Sequence, residues 1–447
     1  MVIKNGLIAL SGRDEPQRLD IKVEGGVITA IGLDLTDNEV INANGLLIIP
    51  GGIDPHVHFD DPGYTDREDF YHGTAAAAAG GITTVIDMPC TSVPEVTSLE
   101  NLHRKLDVIR PKAVVDFGLH GGVSGQVFES GFEKPMEELA DYVMGFKTYF
   151  ISGMDTFHRL NHFQFQKVLE FARDLGKVIL LHAEDYDYVI HATEYARKLK
   201  DSPRSFYLSR PEMAEMLAVA SAAIMAVEAD AQLHIVHIAT ADAAALIAEY
   251  DNVTCETEPH YLAFTLEDFE RMGSILKTVP IVKSPENKPL LWEYLADGVI
   301  DFVASDHAPA PNDQKFTGSI WTDYAGIPGT QTLLPLLFSE GYMKKRLTLS
   351  RFLQVMSENA ARRFGFFHRK GSIEVGKDAD LVFIDPDKKW VLDTSREFYS
   401  KGKITPFEGM EFTGSIEMTM VRGRVVYRRG EGILVEPGYG EWITPEK

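Results

Sequence analysis

Apolar residues along this chain fall into three regimes. Over the first fifty positions they alternate with polar ones in short runs, at 2–10, 19–23, 27–31 and 46–49, separated by turns such as Gly25-Gly26. That is the period-two pattern of half-buried strands. A block of the same kind returns near the end, at 379–385, 416–422 and 424–427. Between the two blocks lie short, wholly apolar runs at 53–59, 82–88, 114–119, 144–150, 178–184, 233–239, 253–257 and 300–305. They are separated by stretches of helical periodicity or composition at 73–79, 164–175, 210–229, 241–249 and 289–295. Strands that are apolar on both faces and alternate with helices imply a parallel sheet covered on both sides. Eight such units predict a closed (β/α)8 TIM barrel. Neither terminal block can bury a good core alone, so the two are expected to meet as one small β-sandwich. The expected organisation is α/β: a sandwich from 1–50 plus 372–430, a barrel over 51–371, and a C-terminal tail at 431–447. The alanine run 75–79 reads as a tightly packed helix ended by Gly80-Gly81.

Composition narrows the partners. The 447 residues carry 44 Lys+Arg against 66 Asp+Glu, a formal net charge of −22. So negative a chain repels phosphate backbones and anionic lipid, and no basic run offsets this, so neither nucleic acid nor membrane is an expected partner. Cys90 and Cys255 are too few for a disulfide framework and too far apart for a CxxC site. The opening MVIKNGLIAL lacks the apolar core and cleavage site of a signal peptide, so a cytoplasmic location is expected.

In a barrel of this kind the chemistry sits at the C-terminal ends of the strands. Strand 1 ends in His56-Val57-His58, and an i, i+2 pair on a strand presents both imidazoles on one face. Lys147 lies in strand 4, His182 ends strand 5, His237 ends strand 6, and Asp306-His307 ends strand 8. One histidine at a strand end is more often structural than a ligand; a series of these residues around one rim points to a metal cluster. An ammonium among metal ligands repels the ion. A desolvated, neutral lysine can instead add CO2, and the resulting carbamate would bridge two divalent ions. Lys147 is therefore expected to be carboxylated.

With these residues in place, the chain resembles the cyclic amidohydrolases of the amidohydrolase superfamily: allantoinase, hydantoinase/dihydropyrimidinase and dihydroorotase. The resemblance is carried, in order and spacing, by GGIDPHVHFDDPG (51–63), GGITTVIDMP (80–89), GFKTYF (145–150), LLHAE (180–184), HIVHIA (234–239), CETEPHYLAFT (255–265), VASDHAP (303–309), SENAARRFGF (357–366) and KGSIEVGKDADLVFID (370–385). It implies two metal ions, usually zinc. His56, His58 and Asp306 would hold one and His182 and His237 the other, with carboxylated Lys147 and a hydroxide bridging them. It further implies ring opening by that hydroxide, with Asp306 as general base and then general acid. Members commonly form dimers or tetramers. A non-catalytic scaffold, known among relatives of dihydropyrimidinase, is disfavoured because all six ligand positions are intact.

The departures bear on the substrate. Dihydroorotases carry an Arg after HxH and an Asn after MP; this chain has Phe59 and Cys90, which removes the carboxylate clamp. Hydantoinases place a Tyr five residues after the bridging Lys, where this chain has Ser152, although Tyr149 is near. HVHFDDPG (56–63), MPCTSVP (88–94), FKTYFISG (146–153) and GIPGTQTLLPLL (326–337) look closest to allantoinase. The expected activity is thus allantoinase-like ring opening of a ureide or imide, with dihydroorotase or hydantoinase activity as the alternative. Phe59, Ser152, Gly326 and Pro328 are the expected substrate contacts, the last two through loop backbone. The acidic stretch 60–69 reads either as a substrate-shaping loop or as a solvated one, with Asp61 and Arg67 fixing it. His260 is expected to make a structural hydrogen bond, His307 to orient the base, and Cys90 to pack.

Overall fold

The structure is a computed structural model that describes residues 1–446. Five strands open the chain: β1 (Val2–Ile8), β2 (Gln17–Glu24), β3 (Val27–Gly32), β4 (Val40–Asn42) and β5 (Leu47–Pro50). Nine follow in the central region: β6 (Gly52–Val57), β7 (Ile82–Asp87), β8 (Asp116–Leu119), β9 (Gly121–Gly122), β10 (Phe146–Tyr149), β11 (Ile179–His182), β12 (Leu233–Ile235), β13 (Val253–Thr257) and β14 (Phe302–Val303). Four close it: β15 (Leu381–Val391), β16 (Glu411–Val421), β17 (Arg424–Arg428) and β18 (Gly432–Ile433).

The terminal strands form one sheet in the order β18-β17-β16-β15-β5-β1-β2-β3, with β4 added beside β1. The junction between the two ends of the chain is the antiparallel pairing of β5 with β15, Ile48 opposite Phe383. The far edge then folds back: Val27 bridges Asp378, and the Ile28 N–H donates to the Lys377 carbonyl at 2.9 Å. Ile3, Ile21, Ile28 and Ile48 from one end pack with Leu381, Phe383 and Met420 from the other, all buried. This is the β-sandwich built from both termini.

The central strands pair as β6-β7-β8 and as β9-β10-β11-β12-β13-β14, in parallel throughout. β8 and β9 are one barrel strand interrupted at His120, whose Nε2 lies 3.1 Å from the Pro55 carbonyl. A parallel bridge from Val57 to His307 closes the ring, giving the eight-stranded barrel. Several strands are shorter than their apolar runs: the fourth is Phe146–Tyr149, the sixth stops at Ile235, and the eighth is Phe302–Val303. Beyond the sixth and eighth the backbone turns sharply, two and three residues past the strand ends. His237 and Asp306 have φ of 45° and 46°, a left-handed backbone that leaves the ladder.

The helix of the alanine run is Phe70–Ala79, begun by Asp69, whose side chain accepts from the His72 N–H. Its small residues let barrel and sandwich approach closely: Ala75 to Ala79 are buried, and Thr419 of β16 donates to the Ala78 carbonyl at 2.7 Å. The described part of the expected C-terminal tail, 431–446, packs against the rest of the chain. It supplies β18, Trp442 bridges Phe117, and Ile443 N–H donates to the Phe117 carbonyl at 2.8 Å; Lys447 lies outside the described residues.

Candidate active site

Strand alternation and the left-handed turns bring His56, His58, Lys147, His182, His237 and Asp306 to the lining of one cavity of about 340 Å³. The Nε2 atoms of His56 and His58 lie 3.3 and 3.2 Å from the same Asp306 Oδ1. The His182 and His237 rings meet edge to face at 4.6 Å, and the His56 ring is 5.5 Å from that of His237. On β10, Lys147 and Tyr149 share the cavity face, as period two requires.

A second layer orients these rings. His56 Nδ1 lies 2.5 Å from Glu256 Oε1; with the proton on Nδ1, the His56 Nε2 lone pair is left for a ligand. Glu256 Oε2 also meets His234 Nε2 at 3.2 Å. His58 Nδ1 is 3.2 Å from the Thr91 hydroxyl. His182 Nε2 is 2.9 Å from Glu184 Oε2, which also accepts from Arg210. Burial alone would raise the Glu184 carboxyl, but the Arg210 guanidinium and His182 override it and hold it at about 2, so Glu184 stays an acceptor.

The residues fit a pair of divalent ions. His56 Nε2, His237 Nδ1 and Lys147 Nζ are buried and have no hydrogen-bond partner. Buried polar atoms without partners are costly, and a divalent cation is the partner that suits lone pairs of imidazole nitrogens set beside a carboxylate. Of the six expected ligands, His56, His58 and Asp306 bring their ligand atoms within 4.8 Å of one another, close enough for one ion. Burial pulls the Lys147 ammonium down to about 8, toward the neutral amine that CO2 requires. The left-handed backbone of His237 and Asp306 costs of order 1 kcal/mol each, the kind of strain that persists where the side chain's aim matters.

The expected substrate contacts divide. Ser152 lines the cavity, its Oγ accepting from the Met154 N–H at 3.2 Å. Phe59 does not: the side chain after HxH points to the opposite strand face, and its ring packs edge-on against Phe70 at 5.3 Å and His307 at 5.4 Å. Gly326 and Pro328 are not among the residues that line the cavity. The Gly326 N–H donates to the Lys277 carbonyl, its own carbonyl accepts from Lys315 Nζ at 2.6 Å, and Pro328 has no N–H. His307 likewise faces away from the base: its Nε2 meets Glu68 at 3.1 Å, and its Nδ1 accepts from the N–H groups of Gly329 and Thr330. His260 Nε2 lacks the expected hydrogen bond. Cys90 does more than pack, since its Sγ is 2.9 Å from the Tyr149 hydroxyl.

Several lining residues escape a reading of strand ends. Arg67, Thr91, Tyr149, Arg210 and Tyr324 line the same cavity, and all but Tyr149 come from loops or helix ends. Glu184, two residues past His182, carried a usable signal, a carboxylate in step with a histidine; Glu256, inside the CETE strand, did not, since the rings it meets, His56 and His234, come from other strands.

The amidohydrolase family profile matches residues 47–426. An allantoinase from Rubrobacter xylanophilus is 38 % identical over all of this chain and 98 % of its own length. An allantoinase from Salmonella choleraesuis is 34 % identical over 98 % of this chain and 97 % of its own. Among solved structures, an L-hydantoinase (dihydropyrimidinase) from Arthrobacter aurescens superposes with a TM-score of 0.94 at 33 % identity, covering 99 % of both chains. A D-hydantoinase superposes at 0.90 with 31 % identity, covering 100 % of this chain and 98 % of that one. The motifs, the barrel with its terminal sandwich, the rim of histidines and these full-length likenesses converge, and the chain belongs to the amidohydrolase family.

Proposed function

We propose that this protein is a metal-dependent hydrolase that opens the ring of allantoin or a closely related ureide. The observation that carries the reaction class is the convergence of six ligand-type side chains, with three orphaned nitrogens, in one small cavity. The ureide branch is supported by full-length allantoinase relatives at 34–38 % identity. His56, His58 and Asp306 would hold one divalent ion, and His182, His237 and Lys147 carbamate the other, zinc being favoured by the imidazole-rich donor set. Such ions supply Lewis acidity toward a carbonyl and lower the pKa of water to about 7.

The chain's own groups do the rest. Lys147, wholly buried, adds CO2 through its neutral amine, forming an N–C bond and releasing one proton. Asp306 accepts the proton of the attacking water and returns it to the ring nitrogen as the C–N bond breaks. Glu256 and Glu184 hold His56 and His182 in place. The Tyr149 hydroxyl reaches the cavity beside Cys90, where it can donate to the carbonyl oxygen as negative charge develops there. The unpaired Cys90 and Cys255 accord with a reducing, cytoplasmic setting, and exposed apolar residues on one helix face accord with a homo-oligomer.

A second reading, hydrolysis of hydantoin or dihydropyrimidine rings, is favoured by the structural likeness to hydantoinases and by Tyr149. The test is to assay the zinc-loaded protein on allantoin, hydantoin, dihydrouracil and dihydroorotate. The highest kcat/KM is expected on allantoin. A preference for either simple ring would move the assignment to the second reading, and turnover of dihydroorotate above the others would overturn both.

A further inference from the structure

Beyond the metal ligands, one side chain of the cavity wall carries a free recognition group. Arg67 lies in the loop that leaves β6. That loop is fixed by Asp61, which pairs with Lys112 at 2.6 Å, and by the Tyr64 N–H donating to the Asp60 carbonyl at 2.9 Å. The Arg67 guanidinium is sandwiched between two rings, Tyr64 and Tyr324, with 4.6 Å to each centroid. Its Nε donates to Gln314 Oε1 at 2.7 Å, and Gln314 Nε2 in turn donates to Asp66 Oδ2 at 2.7 Å. Plane and direction are thus both set. Among the described residues, the two η-nitrogens meet no hydrogen-bond acceptor, and no carboxylate lies within ion-pair distance, yet the side chain lines the same cavity as His58 and Asp306. A guanidinium held in this way is a pre-oriented fork of donors. Its match is a planar acceptor, a carboxylate or the carbonyl of a ureido group.

We infer that Arg67, stacked between Tyr64 and Tyr324, forms a subsite for an acceptor-bearing substituent on the ring, and so selects substrates that carry a ureido or carboxylate arm over those with an apolar one. The inference deepens the proposed ureide activity and rests on it for the position of the ring. The Arg that dihydroorotases place after HxH is absent here, so the charge that reads the substituent comes from further along the same loop, held by Gln314 and Tyr324 from the segment after β14. Pinning reduces the side-chain entropy lost on binding, which favours affinity without new contacts.

Three 5-substituted hydantoins test this: the ureido compound (allantoin), the acetic acid and the methyl derivative. Each is measured by kcat/KM and by calorimetric affinity on zinc-loaded wild type, Arg67→Met and Arg67→Lys, with thermal melting as the check on folding. Arg67→Met should lower both quantities for the ureido and acetic acid compounds about 10–100-fold, the range of a charge-assisted hydrogen bond. The methyl compound should change less than about threefold. Arg67→Lys, which keeps the charge but loses the fork, should fall between, and it carries the comparison if Arg67→Met melts early. An equal loss on all three compounds, or no loss, would overturn the subsite. If wild type ignores allantoin while its preference for the acetic acid over the methyl compound depends on Arg67, the ureide activity falls and the subsite stands.

Discussion

Tyr149 and Ser152 sit three residues apart on the way out of β10, and the cavity treats them differently. Ser152 Oγ is occupied locally by the Met154 N–H, whereas the Tyr149 ring stacks on His182 at 5.3 Å and its hydroxyl is held at 2.9 Å by Cys90. A donor held near the reacting carbonyl acts in a low-dielectric cavity and needs no reorganisation when charge develops. Tyr149→Phe removes only that donor and keeps the stacking. It is expected to lower kcat about 100-fold with little change in KM, as read by steady-state kinetics. An unchanged kcat would refute the role. The Tyr was visible in the sequence, but the count of five residues from Lys147 pointed to Ser152, because counting along a chain ignores which side of the strand each residue faces.

At the scale of elements, the eight barrel strands were legible because strands covered on both faces are apolar throughout and stand out from amphipathic helices. Their ends were not. His58, His237 and Asp306 all lie past the last paired residue of their strands, and the left-handed φ that aims His237 and Asp306 leaves no apolar or polar signature. Contacts between distant loops were equally hidden, since Arg67 and Gln314 are 247 residues apart. The loop after β14 shows a further device of this kind. Lys315 is buried, and its Nζ donates to the carbonyls of Lys277, Tyr324 and Gly326, fastening the wall that carries Tyr324. Burial, and then the neighbouring Lys277, pull its ammonium down from 10.5 to about 7. Between these values the unfolded chain binds more protons than the folded one, so this group's contribution to stability rises with pH from about 7 to about 10.5, and its cost is complete below 7. The stability difference between wild type and Lys315→Met should therefore shift in favour of wild type on going from pH 7 to pH 9.5, as read from urea midpoints. A difference independent of pH would show that the ammonium is not displaced.

For the whole molecule, the net charge of −22 and the exposed apolar residues oppose each other. Copies of so acidic a chain repel, and the repulsion is least where a surface carries few charges. The helix Glu212–Glu228 presents such a surface: Met213, Leu217, Ile224 and Val227 are exposed, and helical spacing places them on one stripe. Tyr188 and Leu208, also exposed, border a shared depression with Leu217. Contiguous apolar area of this sort on a folded protein is normally covered, and a second copy brings the same stripe to a symmetric contact. Light scattering on the zinc-loaded protein should accordingly give a multiple of 49.8 kDa. Leu217→Glu with Ile224→Glu adds four carboxylates across a two-fold contact and should lower that mass, with the circular dichroism of the helices unchanged. A monomeric wild type, or a double variant of undiminished mass, would remove this face as the contact. Met213, Leu217, Ile224 and Val227 do not line the cavity, so the separated chains should retain their selectivity among 5-substituted hydantoins even as the assembly is lost.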